Sequence, residues 1–139
     1  MKGKGLRAAG IGGGCTIEGK INLMGVTFDY EKVMTLEEAR ELIVECSTEL
    51  LRMVNSDPKA AQYFETFPVK ENIFRIGIIG ETPDAVRDHV RVVSISGGEI
   101  IYYADDLEKG ESMSIIVLKE SFAEAQEIVN RKTFNLALK

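Results

Sequence analysis

Apolar residues along this chain follow two spacings, and the spacing changes where turn residues stand. Leu36, Ala39, Ile43, Cys46, Leu50 and Met53 recur at alternating steps of three and four, and Leu42 and Val54 widen the stripe. That is the one-faced pattern of a helix. Thr35-Leu36-Glu37-Glu38 opens it as a capping box, with Thr at the N-cap and Glu at the third helical position, and the helix is expected to run to about Asn55. Ser121-Phe122-Ala123-Glu124 is a second such box. Its helix is expected to reach about Lys132, with Phe122, Ala125, Ile128 and Val129 turned inward.

The remaining apolar runs are short and read as strands. The first covers residues 20–33, where Gly25 interrupts the alternation and suggests a bulge. Asn55-Ser56-Asp57-Pro58 stops the first long helix and starts a short one. Asp57 caps it and Pro58 fits its first position; it carries Tyr63 and Phe64 and ends before Phe67-Pro68. Four further runs follow: Asn72 to Ile79, Val90 to Ser96, Glu99 to Ala104 and Ser112 to Leu118. Gly97-Gly98 marks a tight hairpin between two of them. Strands that segregate from helices imply an α+β fold. The expected architecture is two-layer: a mainly antiparallel sheet of about five strands with both long helices on one face. The other face, with Arg75 and Ser94, is expected to be partly wet.

The two ends break these patterns. Residues 1–19 are rich in Gly, Ala and Lys and read as a flexible arm before a single domain over 20–139. At the other end Phe134, Leu136 and Leu138 alternate with polar neighbours. That is period two, and an apolar edge left in water invites association. No Gly or Pro turns this tail back on its own sheet, so residues 133–139 are expected to reach a second copy of the chain and build a homodimer.

Composition excludes several classes of function. With 139 residues and 45% hydrophobic content, the chain can bury one core without metal or disulfide staples. No apolar run approaches the length of a membrane span. Residues 1–20 carry Lys2, Lys4, Arg7 and Lys20 against Glu18, a net of +3, so the remainder of the −5 chain carries −8. An acidic body opposes nucleic-acid binding, and no basic-aromatic interleaving offsets it. Lys2 and Lys4 precede no apolar stretch of the kind a signal peptide needs, so the chain reads as cytoplasmic or as an exported protein in its mature form.

Several motifs invite a chemical reading. Gly14 to Lys20 spells G-x-x-x-x-G-K, but Ile21 stands where a phosphate loop needs a hydroxyl for magnesium, and strand-like residues follow where a helix should open. No nucleotide or other cofactor is expected. His89 is the single histidine, with Glu81, Asp84 and Asp88 nearby. Asp84 and Asp88 lie one helical turn apart if Pro83 opens a helix, and with Glu81 they would form an acid-base pair or an acidic metal site. Solvated loop charges explain them equally. Cys46 sits in the helix seam as a small hydrophobe and Cys15 in the arm, so neither is placed as a nucleophile beside His89, and no disulfide between them is expected. One His and two distant Cys are too few for zinc. Tyr63, Phe64 and Phe67, with Tyr102 and Tyr103, read either as core edge or as the wall of an apolar ligand pocket.

The stretch from Met34 to Ile73 resembles a group of small uncharacterised bacterial proteins. Asn55-Ser56, Tyr63, Phe67-Pro68 and Asn72-Ile73 carry the resemblance, which covers under a third of the chain. It implies no activity and no site; that group's members often look exported. The leading expectation is a non-enzymatic module that binds another protein or a small apolar ligand. The alternative is a small hydrolase-like enzyme using Asp84, Asp88 and His89.

Overall fold

A computed structural model describes residues 5–83, 88–106 and 114–137. The elements are β1 (Leu6–Cys15), β2 (Ile21–Tyr30), α1 (Leu36–Ser56), two single 3-10 turns (Ala60–Tyr63 and Glu71–Ile73), β3 (Phe74–Ile79), β4 (Val92–Ser96), β5 (Glu99–Asp105), β6 (Ser114–Ser121) and α2 (Phe122–Ala137). The fold is α+β. One six-stranded sheet has its strands in sequence order, every pair antiparallel except β2 and β3. Those two are parallel because α1 forms the crossover between them.

Both capping boxes form. Thr35 Oγ1 accepts from the Glu38 backbone N–H at 3.1 Å, and Ser121 Oγ accepts from the Glu124 N–H at 3.1 Å. In both, the hydroxyl lies 3.1 Å from the Glu carboxylate, which closes the box through the side chain. Ala39, Ile43 and Cys46 of α1 are fully buried. Met53, placed in the seam by its spacing, is 55% exposed, because the seam drifts around a 21-residue helix and leaves the sheet before its end. Ile128 of α2 is likewise partly out, whereas Phe122 and Ala125 are buried.

The sheet's helix-side face supplies the other half of the core: Phe28, Phe74, Ile76, Ile78, Val93, Ile95, Ile100 and Tyr102. Ile76, Ile95 and Ile100 stand directly across from one another on β3, β4 and β5. α1 packs over β3 and β4, and α2 lies beside it towards β6. The β4–β5 hairpin turns on Gly97 and Gly98, whose φ angles of 60° and 82° are those a two-residue primed turn requires.

Three expectations are corrected. The presumed arm is mostly strand: β1 pairs with β2 from Leu6↔Tyr30 to Cys15↔Ile21 and makes the sixth strand. The phosphate-loop-like segment is the turn of this hairpin, closed by Thr16 N–H to Lys20 O at 2.7 Å and by Gly19 in a left-handed conformation. The glycines permit the close pairing; at Gly13 a Cβ would stand 2.6 Å from the Leu23 carbonyl oxygen. Second, the register shifts lie at Ala9 of β1 and at Asn22 of β2, while Gly25 pairs in register with Gly12 and Arg75. Third, α2 runs through Ala137, so Phe134 and Leu136 are helical and no tail strand forms over 133–137. Adding a residue to a capped helix costs less than starting a strand, and three alternating side chains do not reverse that. Leu138 and Lys139 lie outside the described residues.

The packing sets a stability contrast. Ile95→Ala should cost about 2–5 kcal/mol in urea unfolding, the range for emptying a filled aliphatic site. Ile11→Ala, at a β1 position 84% exposed, should change stability by less than ~0.5 kcal/mol.

Candidate functional site

At the C-terminal ends of β3 and β5 a polar cluster is buried. His89 precedes β4 and turns its ring inward, with its side chain only 3% exposed. Its Nε2 lies 3.0 Å from Asp105 Oδ2 at the end of β5. The Arg91 guanidinium stands 3.9 Å from the same carboxylate oxygen and donates to Thr82 Oγ1. Backbone bonds hold the frame: Gly80 N–H to Arg91 O, Glu81 N–H to Lys32 O and Val90 N–H to Met34 O. The partner that meets His89 is therefore Asp105, sixteen residues on. Asp88 is exposed on the neighbouring loop, Glu81 is exposed, and Asp84 lies outside the described residues. Asp88 and His89 thus point apart. A histidine held by a carboxylate is half of an acid-base dyad, but this one is buried, with its side chain only 3% exposed. Its evident work is to pin the β3–β4 connection to β5.

A second buried network joins the layers. Arg40 Nε of α1 donates to both oxygens of Glu120 on β6, at 2.8 and 3.3 Å. The Tyr102 hydroxyl donates to Glu120 Oε1 at 3.0 Å, and the Arg40 guanidinium lies 6.0 Å from the Tyr102 ring centroid. The nearby carboxylate raises the Arg40 pKa, and burial raises that of Tyr102. Sequence reasoning missed this network. One signal was available: Glu120 occupies the same inward phase of β6 as Leu118, where an apolar residue belongs.

The five aromatic candidates do not share a wall. Phe64 and Phe67 meet with ring centroids 6.4 Å apart, while Tyr63 is 56% exposed. Tyr102 and Tyr103 are consecutive on β5 and so project to opposite faces: Tyr102 into the core, Tyr103 onto the face without helices. The segment carrying the first three is clamped to α1 by Asn55, whose side-chain amide bonds both the N–H and the C=O of Val69, at 2.8 and 2.9 Å. Beside this segment a cleft of about 360 Å³ is lined by Ile21, Asn22, Glu65, Val69, Lys70 and Ile73 among others, a lining divided about evenly between polar and apolar surface.

Among the described residues no element covers the face of the sheet away from the helices. Across β3, β4, β5 and β6 it carries a directly paired row, Ile79–Val92–Tyr103–Ile116, and Ile101 stands in the next row. Every one of these is at least partly exposed. The row ends at the open edge of β6, where Ile115, Ile116 and Val117 are 51%, 52% and 45% exposed. Arg75 and Lys119, both exposed, flank it.

Among the described residues no group of His, Cys, Asp and Glu is arranged to hold a metal ion, and no buried side-chain polar atom lacks a hydrogen-bond partner. No helix is long and apolar enough to cross a membrane. Both cysteines are free: Cys15 exposed on β1, Cys46 buried in α1. Burial pushes the Cys46 thiol from 9.0 up to about 12. A native thiol titration should therefore count one fast thiol, Cys15, and a second only after unfolding. The same shift has a sign in stability. The unfolded thiol ionises first, so its contribution is intact below pH 9 and is lost as pH rises towards about 12. Equilibrium unfolding followed from pH 8 upward should show this decline, and Cys46→Ala should flatten it. Comparison with protein-family models, with curated proteins and with solved structures gives no match.

Proposed function

We propose that this chain is a non-enzymatic protein-interaction module whose binding surface is the bare sheet face. The observation that carries the reading is the paired row Ile79–Val92–Tyr103–Ile116. It is an apolar and aromatic strip on a rigid sheet, left open where helices cover the other side. Flat apolar strips with an aromatic residue and a charged rim are what protein partners bury, whereas small ligands need concavity. The rim of this face carries both signs, Arg75 and Lys119 with Glu99 and with Asp29, which pairs directly with Ile79, and so suits a partner with mixed polar groups around an apolar centre.

The enzyme alternative built on Asp84, Asp88 and His89 has less support, since the His89 ring is buried against Asp105 and Asp88 is exposed beside it. A photo-cross-linking residue at Tyr103 tests the leading reading in the protein's native cells. It should give a discrete protein adduct, and the same residue at Thr48, exposed on α1, should not. Adducts at Thr48 alone, or at neither position, would count against the bare face as the binding surface.

A further inference from the structure

The sheet has two outer strands, and they differ in kind. β1 is blunted: it is glycine-rich, carries a register shift between Ala8 and Gly10, and presents Arg7 beside Glu31. β6 lacks most such protection. Over Ser114 to Leu118 it reads Ser-Ile-Ile-Val-Leu, with no charge and no proline, and one extra residue at Val117 is its only irregularity. Long apolar edge strands are what natural sheets avoid unless something pairs with them.

We propose that a second copy of this chain occupies the β6 edge, the two β6 strands pairing antiparallel about a two-fold axis. The inference rests on the sheet being the interaction surface, and it adds the partner. Three observations select a second copy. The first is charge. An antiparallel self-pairing centred on Val117 sets Lys119 opposite Ile115 and Glu120 opposite Ser114, so no charge meets its own kind. The second is the flank of α2 above this edge. Lys132 reaches Glu37 and Glu41, so that side of α2 faces α1. At 100° per residue the opposite side presents Ala123, Gln126, Glu127, Asn130 and Phe134, with Phe134 63% exposed and Glu127 paired to Arg131 one turn on. Two such flanks meet side by side when the edges join. The third is size. Pairing over eight residues spans only ~27 Å of strand, a narrow ribbon beside the ~1,200 Å² of a stable interface. The α2 flank supplies area that a lone foreign strand would not cover. The joined sheet also runs the Ile79–Val92–Tyr103–Ile116 row into its symmetry mate, doubling the bare face. The homodimer expected through a tail strand thus moves to β6, with Phe134 contributing from a helix.

Light scattering on the full chain should give twice the 15.4 kDa chain mass. Ile116→Lys should give the monomer with an unchanged circular dichroism spectrum, and Ile11→Lys on the other edge should remain dimeric. Should Ile116→Lys fail to fold, Ile116→Cys in a Cys15→Ser background reads the same contact. Oxidation should link it covalently into dimers, and Ile11→Cys in that background should stay unlinked. A monomer at all concentrations, or a dimer that survives Ile116→Lys, overturns the proposal. Either result leaves cross-linking at Tyr103 free to support the bare face by itself, so the two readings fail separately.

Discussion

Two α-helices side by side are ~20 Å across and six strands ~29 Å. That mismatch governs this molecule. A layer of two helices covers about four strands, and here it covers the centre and the β6 side: α1 over β3 and β4, α2 beside it. Among the described residues nothing of comparable size lies over β1. Only Leu6 of β1 is buried, and the rest of the strand is glycine, alanine and a few residues that are mostly exposed. The segment from Asp57 to Ile73 fills part of the gap at one end of β2, bridging Phe64 to Ile21 and held to α1 by the Asn55 clamp on Val69. The second face of the sheet has no layer among the described residues.

Within the covered region, charged groups tie the elements together. Arg40, Glu120 and Tyr102 join α1 to the last two strands across the core, and His89 with Asp105 and Arg91 fastens the loop after β3 to the end of β5. Pairs of this kind contribute little net stability against apolar substitutes, yet removing one partner strands the other. They select one arrangement of helix on sheet and one path for the connection. On its other face the sheet presents side chains that no other element among the described residues covers.

What was legible in the sequence was whatever side-chain burial or local turn chemistry dictates. The α1 seam, both hydroxyl-and-glutamate caps and the Gly97-Gly98 turn are local signals, and each appears where expected. β1 was not legible because a strand whose neighbour supplies only backbone bonds leaves no pattern of apolar residues. The end of α2 was misread because Phe134 and Leu136 are exposed, so their spacing reports no buried face. His89 was noticed for its chemistry, but its partner is set by strand register, which brings Asp105 beside it from sixteen residues away. Glu120 was overlooked because a charge beside a capping box looks like surface until β6 is paired with β5.

Amide hydrogen exchange, resolved by residue, tests the coverage constraint most directly. Strands lying under the helical layer should open only with global unfolding, and an uncovered strand should open locally at much lower free energy. Ile76, Ile95 and Ile100 should share the highest protection, and the β1 amides bonded to β2 should exchange far sooner. Protection of β1 equal to that of β4 would contradict the coverage constraint, since the outer strand would then be held as firmly as one buried beneath α1.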